Sequence, residues 1–498
     1  MMKKLIALLI LGAMLTASIV SCSEAPAENN TDKTDAPAAE TEVTGESETV
    51  EETEEVVKDD LPEKNYDGYS YNIYTRTNTT HYQFLTEEYT GEVLNDAIYD
   101  RNLRVQDRFN VAFTETEYSD ENAPTPLIMS GDTTYSLMNV RCTAANNMAQ
   151  KNYLYNISSL EYIDLSKPYW DAELTEAISI GPYYFSAIGA TNLTAIDFMT
   201  TLLFNKQILA ENNLGDIYSM VREGTWTFDR FSEMGAAVTR DLDGNGTYDA
   251  SDAWGVLGGA KFLHCSFIQS GGAMYLKKDS ENKPIYTMSN DEHFINVFNK
   301  IFEILHDNNA WYMTNDTTNE ATQYHNMFRN GQGLFLSTIF YYIETMRDMD
   351  YEFGIIPYPK YDEAQDQYYS RISFFDTAVI PTSTDDVERA SIILEALTCE
   401  SHNGVIPAYK DIALKTKYSR DMESSDMIDL VLDNRVLDFG DTYFCSAVRE
   451  GLITNMFIND ERNIVSKTKS TEKVLSKNIE KMLKEYDKVL AEQEAAAQ

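Results

Sequence analysis

The sequence predicts an α/β protein built as two lobes. Three observations carry that expectation. Strand-like and helix-like segments alternate from residue 69 onward. The stretch able to build a core runs from about residue 64 to residue 486, and a single core usually divides beyond about 250–300 residues. An amphipathic helix closes the chain, as a helix laid by one stripe onto a finished body would.

Taken in order, Tyr69–Tyr74 alternates as a strand does and ends at the polar stretch Thr75-Arg76-Thr77-Asn78. Val93, Leu94, Ala97, Ile98 and Val105 then recur at helical spacing, and Asn110–Phe113 reads as the next strand. Tyr135–Val140 is a third strand, followed by a helical run from Arg141. Alternation of this kind builds an open sheet covered by helices. Ligands bind such sheets at loops beyond the carboxyl ends of the strands, the place held here by residues 75–78 and 141–143. At the far end Leu475, Ile479, Met482, Tyr486 and Val489 step by three and four between Lys and Glu, which makes a structural helix.

Lys3 and Lys4 precede an apolar run, Leu5–Val20, of sixteen residues. That is shorter than the about 20 residues a spanning helix needs, and it suits an export signal. The following Ile19-Val20-Ser21-Cys22 resembles the lipobox of bacterial lipoproteins. The resemblance implies that residues 1–21 are removed, that Cys22 is acylated, and that the protein is lipid-anchored to the outer face of the cell membrane. Residues 22–63 are expected to be a disordered tether. Between Ser23 and Asp60 stand fourteen acidic residues and two lysines, a net of −12, with too little apolar surface to fold.

The whole chain has a net charge of −40. With no basic excess to neutralise phosphate, nucleic acid is excluded as a partner, and a solvated acidic surface accounts for the charge. Cys142, Cys265, Cys399 and Cys445 lack any C-x-x-C pair and read as buried small hydrophobes. H-E-x-x-H, G-x-S-x-G, P-loop and G-x-G-x-x-G motifs are all missing, and the six histidines show no ligand spacing. The sequence thus carries none of these enzyme signatures.

One loop carries metal chemistry. Asp241-Leu242-Asp243-Gly244-Asn245-Gly246-Thr247-Tyr248-Asp249-Ala250-Ser251-Asp252 places oxygen side chains at positions 1, 3, 5, 9 and 12 and glycine at 6. Calcium takes six to eight hard oxygen ligands, and the glycine permits the turn between them. Asp241, Asp243, Asn245, Asp249 and Asp252 would bind through side chains and Thr247 through its carbonyl. Asp in place of Glu at position 12 resembles the loops of dockerin modules. A metal-free Asx-rich turn is the plainer alternative. Four carboxylates and an Asn at these spacings favour structural Ca2+.

Several segments together resemble the extracellular solute-binding lipoproteins of carbohydrate-type ABC importers, the maltose-binding-protein-like family. They are Lys167-Pro168-Tyr169-Trp170-Asp171, the strand Thr200–Lys206 ending in Phe-Asn-Lys, Thr225-Trp226-Thr227-Phe228-Asp229 opening a helix, and Ala253-Trp254-Gly255. Phe353–Lys360, Pro407–Lys410 and Lys417–Asp421 complete the set. The resemblance implies a periplasmic-binding-protein-like fold with a multi-segment hinge and an interlobe cleft. The first lobe would comprise 64–190 and about 338–383, the second about 196–335 and 390–498. It further implies a monomeric receptor that takes a small ligand, a sugar or oligosaccharide, to an ABC permease. By position in the family, Arg76, Arg141, Trp170, Asn192, Phe340, Tyr341, Arg371 and Phe374 would line the cleft. For each aromatic, core packing is the plain alternative. Two other functions stay open: a surface-anchored glycan-degrading enzyme, and a non-transport binding or adhesion lipoprotein.

Overall fold

A computed structural model describes residues 56–77, 84–313, 320–410 and 421–497. The signal segment, Cys22, the tether to residue 55, Asn78 and residues 417–420 lie outside the described residues. Val56–Gln498 forms one compact unit. The body therefore starts eight residues earlier than the sequence suggests. Val57 and Leu61 pack on the first-lobe core, the Val57 amide donates to Asn403 Oδ1 at 3.0 Å, and Asp59 pairs with Arg108 at 2.7 Å. Two apolar side chains among the acids are enough to dock this segment.

In chain order the principal elements are β1 (Tyr69–Arg76), α1 (Val93–Phe109), β2 (Val111–Tyr118), β3 (Leu137–Arg141), α2 (Cys142–Ala149), β4 (Thr200–Asn205), α3 (Phe228–Val238) and β5 (Trp254–Leu257). Then follow β6 (Trp311–Tyr312), β7 (Gly333–Ile339), β8 (Phe353–Ile356), β9 (Asp376–Val379), α4 (Val387–Glu400), α5 (Phe439–Tyr443) and α6 (Ile464–Ala497). The first sheet is four-stranded with order β9-β3-β1-β2, and the second is five-stranded with order β8-β4-β7-β5-β6. In the first sheet β1 is parallel to β2 and β3, and β9 runs antiparallel to β3. Each sheet is the floor of one lobe.

Local sequence explains the elements that carry the site. In α1, Ile98, Val105 and Phe109 face inward, and Asn110 ends the helix in a left-handed conformation that Asn tolerates. Thr227 caps α3 by accepting from the Arg230 amide. Every residue of β4 and β7 is buried, as expected of strands covered on both faces.

The lobe boundaries differ from those expected. Residues 338–370, assigned to the first lobe above, remain in the second, because β8 pairs antiparallel with β4. After β8 the chain crosses to the first lobe at 372–376, where Ile372 bridges Met199 and Asp376 enters the first sheet. Residues 390–400, assigned to the second lobe, belong to α4. That helix buries Ala390, Ile392, Ile393, Leu394 and Ala396 against the first sheet, directly after β9. The closing helix α6 serves both lobes. Leu475 joins the second-lobe core, while Ile479, Met482, Tyr486 and Val489 join the first. Tyr286 Oη donates to the Thr468 carbonyl at 2.6 Å, and Tyr486 Oη to Asn146 Oδ1 at 2.8 Å. Among the described residues, no helix is long and apolar enough to cross a membrane.

Candidate functional site

The carboxyl edge of the first sheet and the two crossing segments converge on one group of side chains. β1 and β3 end together at Arg76 and Arg141, and Asp376 on β9 stands opposite Arg141 in register. Arg76 holds Asp376 with Nε and Nη2, both at 3.1 Å. The Asp376 side chain is fully buried, so this bidentate pair closes the edge of the sheet and fixes the crossing strand.

That strand presents aromatic surface. Both the amide and the hydroxyl of Ser373 donate to the Phe198 carbonyl, at 3.0 Å each, which lays the two crossing segments side by side. The rings of Phe374 and Phe198 consequently meet with centroids 3.6 Å apart. Tyr341 lies nearly parallel to Phe198 at 6.4 Å, and Tyr342 edges onto Tyr341 at 5.0 Å. Arg141 covers the other end, its guanidinium 4.6 Å from the Phe374 centroid, and its Nη1 donates to Glu121 Oε1 at 2.6 Å. Burial works against the Arg141 charge, but the bond and charge of Glu121 outweigh it and raise the pKa. Phe374, Tyr341, Tyr342 and Arg141 are all half-exposed. The result is a wall of rings at the lobe junction with a cation at one end, which suits the apolar face of a sugar ring plus a polar substituent.

Four of the eight candidates from the sequence lie elsewhere. Trp170 is 5% exposed in the first-lobe core. Its Nε1 donates to Glu395 Oε2 at 2.9 Å, and Tyr169 Oη to Oε1 at 2.6 Å. Asn192 is buried and donates to the Asp376 carbonyl at 2.8 Å. Phe340 is fully buried in the core between the sheets. Arg371 is buried in the second lobe, its Nε 2.6 Å from Asp441 Oδ2. Trp170 and Asn192 border a 420 Å³ depression with His402 and Arg435. A larger recess of 830 Å³, between α1 and β2, is edged by Glu87, Glu88, Glu115 and Glu117 and lies away from the ring wall. Phe198, Tyr342, Glu121 and Asp376 were missed. Of these, Tyr342, next to Tyr341, and Asp376, two residues past Phe374, lay near residues already singled out.

The acidic loop lies between α3 and β5, closed by an antiparallel bridge between Arg240 and Ala253. Carboxylate oxygens of Asp241, Asp243 and Asp252 lie within 4.8 Å of one another. Asp241 accepts from the amides of Gly246 and Gly244, at 2.8 and 2.7 Å, and the first of these chiefly lowers its pKa. Asp249 instead turns to Ser251, and Asn245 Oδ1 accepts from the Thr247 amide. Cys142, Cys265 and Cys399 are buried as expected, Cys445 is half-buried, and all four are free thiols.

Comparison with known proteins gives the fold its place. No family model matches the sequence, and no curated protein matches it either. Solved structures do match. An ABC substrate-binding protein of Listeria monocytogenes, solved with cycloalternan, aligns at 11% identity and a TM-score of 0.54, over 83% of this chain and 99% of its own. A cyclo/maltodextrin-binding protein complexed with maltotetraose aligns at 12% identity and a TM-score of 0.55, over 84% and 96%. A sugar transporter protein of Rhizobium etli in an open conformation gives 11%, 0.55, 84% and 99%. This chain has the two-lobe fold of ABC solute-binding proteins.

Proposed function

We propose that this protein is an extracytoplasmic solute-binding receptor. It captures a saccharide between its lobes and delivers it to an ABC permease without chemical change. The observation that carries this reading is the half-exposed wall of Phe374, Tyr341 and Tyr342, backed by Phe198 and flanked by Arg141, at the lobe junction. Rings stack on the apolar faces of sugars, and a few polar groups fix the hydroxyls. The sugar ligands of the structurally similar proteins agree with it.

Two finer parts belong to the same proposal. Cys22 carries the lipid anchor, so Cys22→Ser should leave the membrane fraction or stall in processing, and an unacylated wild-type N-terminus by mass spectrometry would refute the anchor. The loop 241–252 binds Ca2+ as a structural clamp. The convergence of Asp241, Asp243 and Asp252 supports it; Asp249, Asn245 and the Thr247 carbonyl would complete the ligands once Asp249 turns from Ser251.

A thermal-shift screen against an oligosaccharide panel, followed by titration of the hits, tests the receptor reading. One ligand per chain should bind and be recovered intact, with compaction in small-angle scattering as the lobes close. Release of shorter sugars, lost on mutating one carboxylate, would place the protein among glycan-degrading enzymes instead.

A further inference from the structure

Arg141 stands in the ring wall as an incompletely used cation. Among the described residues, Glu121 Oε1, 2.6 Å from Nη1, is the one acceptor its donors meet, and Nε is buried without one. The Glu121 side chain is 38% exposed, on the loop after β2, and makes one contact to the guanidinium. Arg76 differs, since its Nε and Nη2 are both spent on fully buried Asp376. Arg141 is also the residue before α2, and no side chain caps that helix. The Cys142 amide bonds the Phe375 carbonyl. A helix start leaves its first amides without intrahelical acceptors, and the backbone there favours negative charge.

A neutral sugar explains the rings but leaves this combination unused. A guanidinium bonded through Nη1 alone, a helix start without a side-chain cap, and an exposed carboxylate held by one bond fit a site already occupied by a substitute anion. We propose that the captured saccharide carries a carboxylate, as a uronic acid residue does, and that this carboxylate replaces Glu121 on Arg141 at the start of α2 while the sugar ring packs beside Tyr341 and Tyr342. The inference rests on the saccharide-receptor reading and narrows it. Displacing Glu121 costs little, because solvent screens an ion pair this exposed. The incoming carboxylate takes the planar fork in a better geometry, beside rings that exclude water.

Isothermal titration of the whole protein with tri-galacturonate, tri-glucuronate and their neutral counterparts tests this. The acidic member of at least one pair should bind at least tenfold tighter than the neutral one. Arg141→Gln should erase that preference, and Glu121→Gln should widen it by removing the competitor. Raising salt should weaken only the acidic series. Equal affinity within both pairs, neutral sugars binding alone, or a preference that survives Arg141→Gln overturns the inference and leaves the saccharide receptor standing. No saccharide of any kind binding would overturn both.

Discussion

The crossing strand that presents Phe374 is held from behind by a buried charge cluster, and Asp441→Asn tests how much that cluster contributes. Asp441 is 3% exposed. It accepts from Arg371 Nε at 2.6 Å, Gln269 Nε2 at 2.8 Å and Arg449 Nη1 at 3.0 Å. Burial works against its charge, and Arg371 and Arg449 outweigh that, holding the carboxyl below its ordinary range. Asparagine keeps the shape and one acceptor but leaves buried Arg371 without a counter-ion and Arg449 with Glu450 alone, at 3.2 Å. Removing one partner of a buried pair costs about 3–5 kcal/mol, and with one acceptor retained we expect about 4 kcal/mol. Arg449 also donates to the Ser373 carbonyl at 3.3 Å, so ligand affinity should fall as Phe374 loses its support. Urea unfolding followed by tryptophan emission reads the stability, since Trp170, Trp226, Trp254 and Trp311 are all buried. A loss below about 1 kcal/mol, the value of an exposed ion pair, would refute the reasoning. The triple variant Arg371→Met, Asp441→Leu, Arg449→Met should recover much of the loss, because apolar packing can replace a buried ionic cluster.

Burial raises the Glu395 carboxyl to about 7, so the folded state holds a proton that the unfolded state has released. This group's contribution is present near pH 4.5 and is lost as pH rises toward 7. The stability difference between wild type and Glu395→Gln should change by about 3 kcal/mol over that window in urea titrations. Buried His264 and His325, lowered to about 3 and about 4, act with the opposite sign below pH 6.5, so only the difference between the two proteins is diagnostic. Calcium should raise the melting temperature, and Asp243→Ala should abolish the rise; identical melting curves in calcium and in chelator, without sugar, would remove the metal from the account. Tyr486→Ala should cost roughly 3–5 kcal/mol, as for other large aromatic deletions, because the ring is 3% exposed between α6 and the first lobe. A smaller loss on calorimetry would mean that α6 is not fastened there.

The elements of the first lobe were legible because each side chain pattern repeats with its backbone. Tyr69–Tyr74, the stripe through Ile98 and Val105, and the closing stripe from Leu475 to Val489 all fall where the periodicity put them. The acidic loop was equally readable, since its spacing is local and three of its carboxylates do converge. Of the eight side chains singled out from the sequence, the fold brings Arg76, Arg141, Tyr341 and Phe374 to one sheet edge and ring wall. Trp170 and Phe340 were not separable from them by residue type, because a ring that stacks on sugar and a ring that fills a core have the same composition.

The sequence by itself determined the strands, the helices and the chemistry of each strand end, because those depend on neighbours within a few residues. Only the tertiary structure decided which lobe each segment joins and which rings stay open to a ligand. Residues 390–400 are apolar enough for either lobe, and packing against the first sheet settles their place. Arg371 and Arg141 are the same side chain at two strand ends. One meets Asp441 seventy residues away and is buried, while the other meets a single exposed Glu121 beside Phe374. Burial and pairing are properties of what the fold brings alongside a residue, and no local pattern in the chain encodes them.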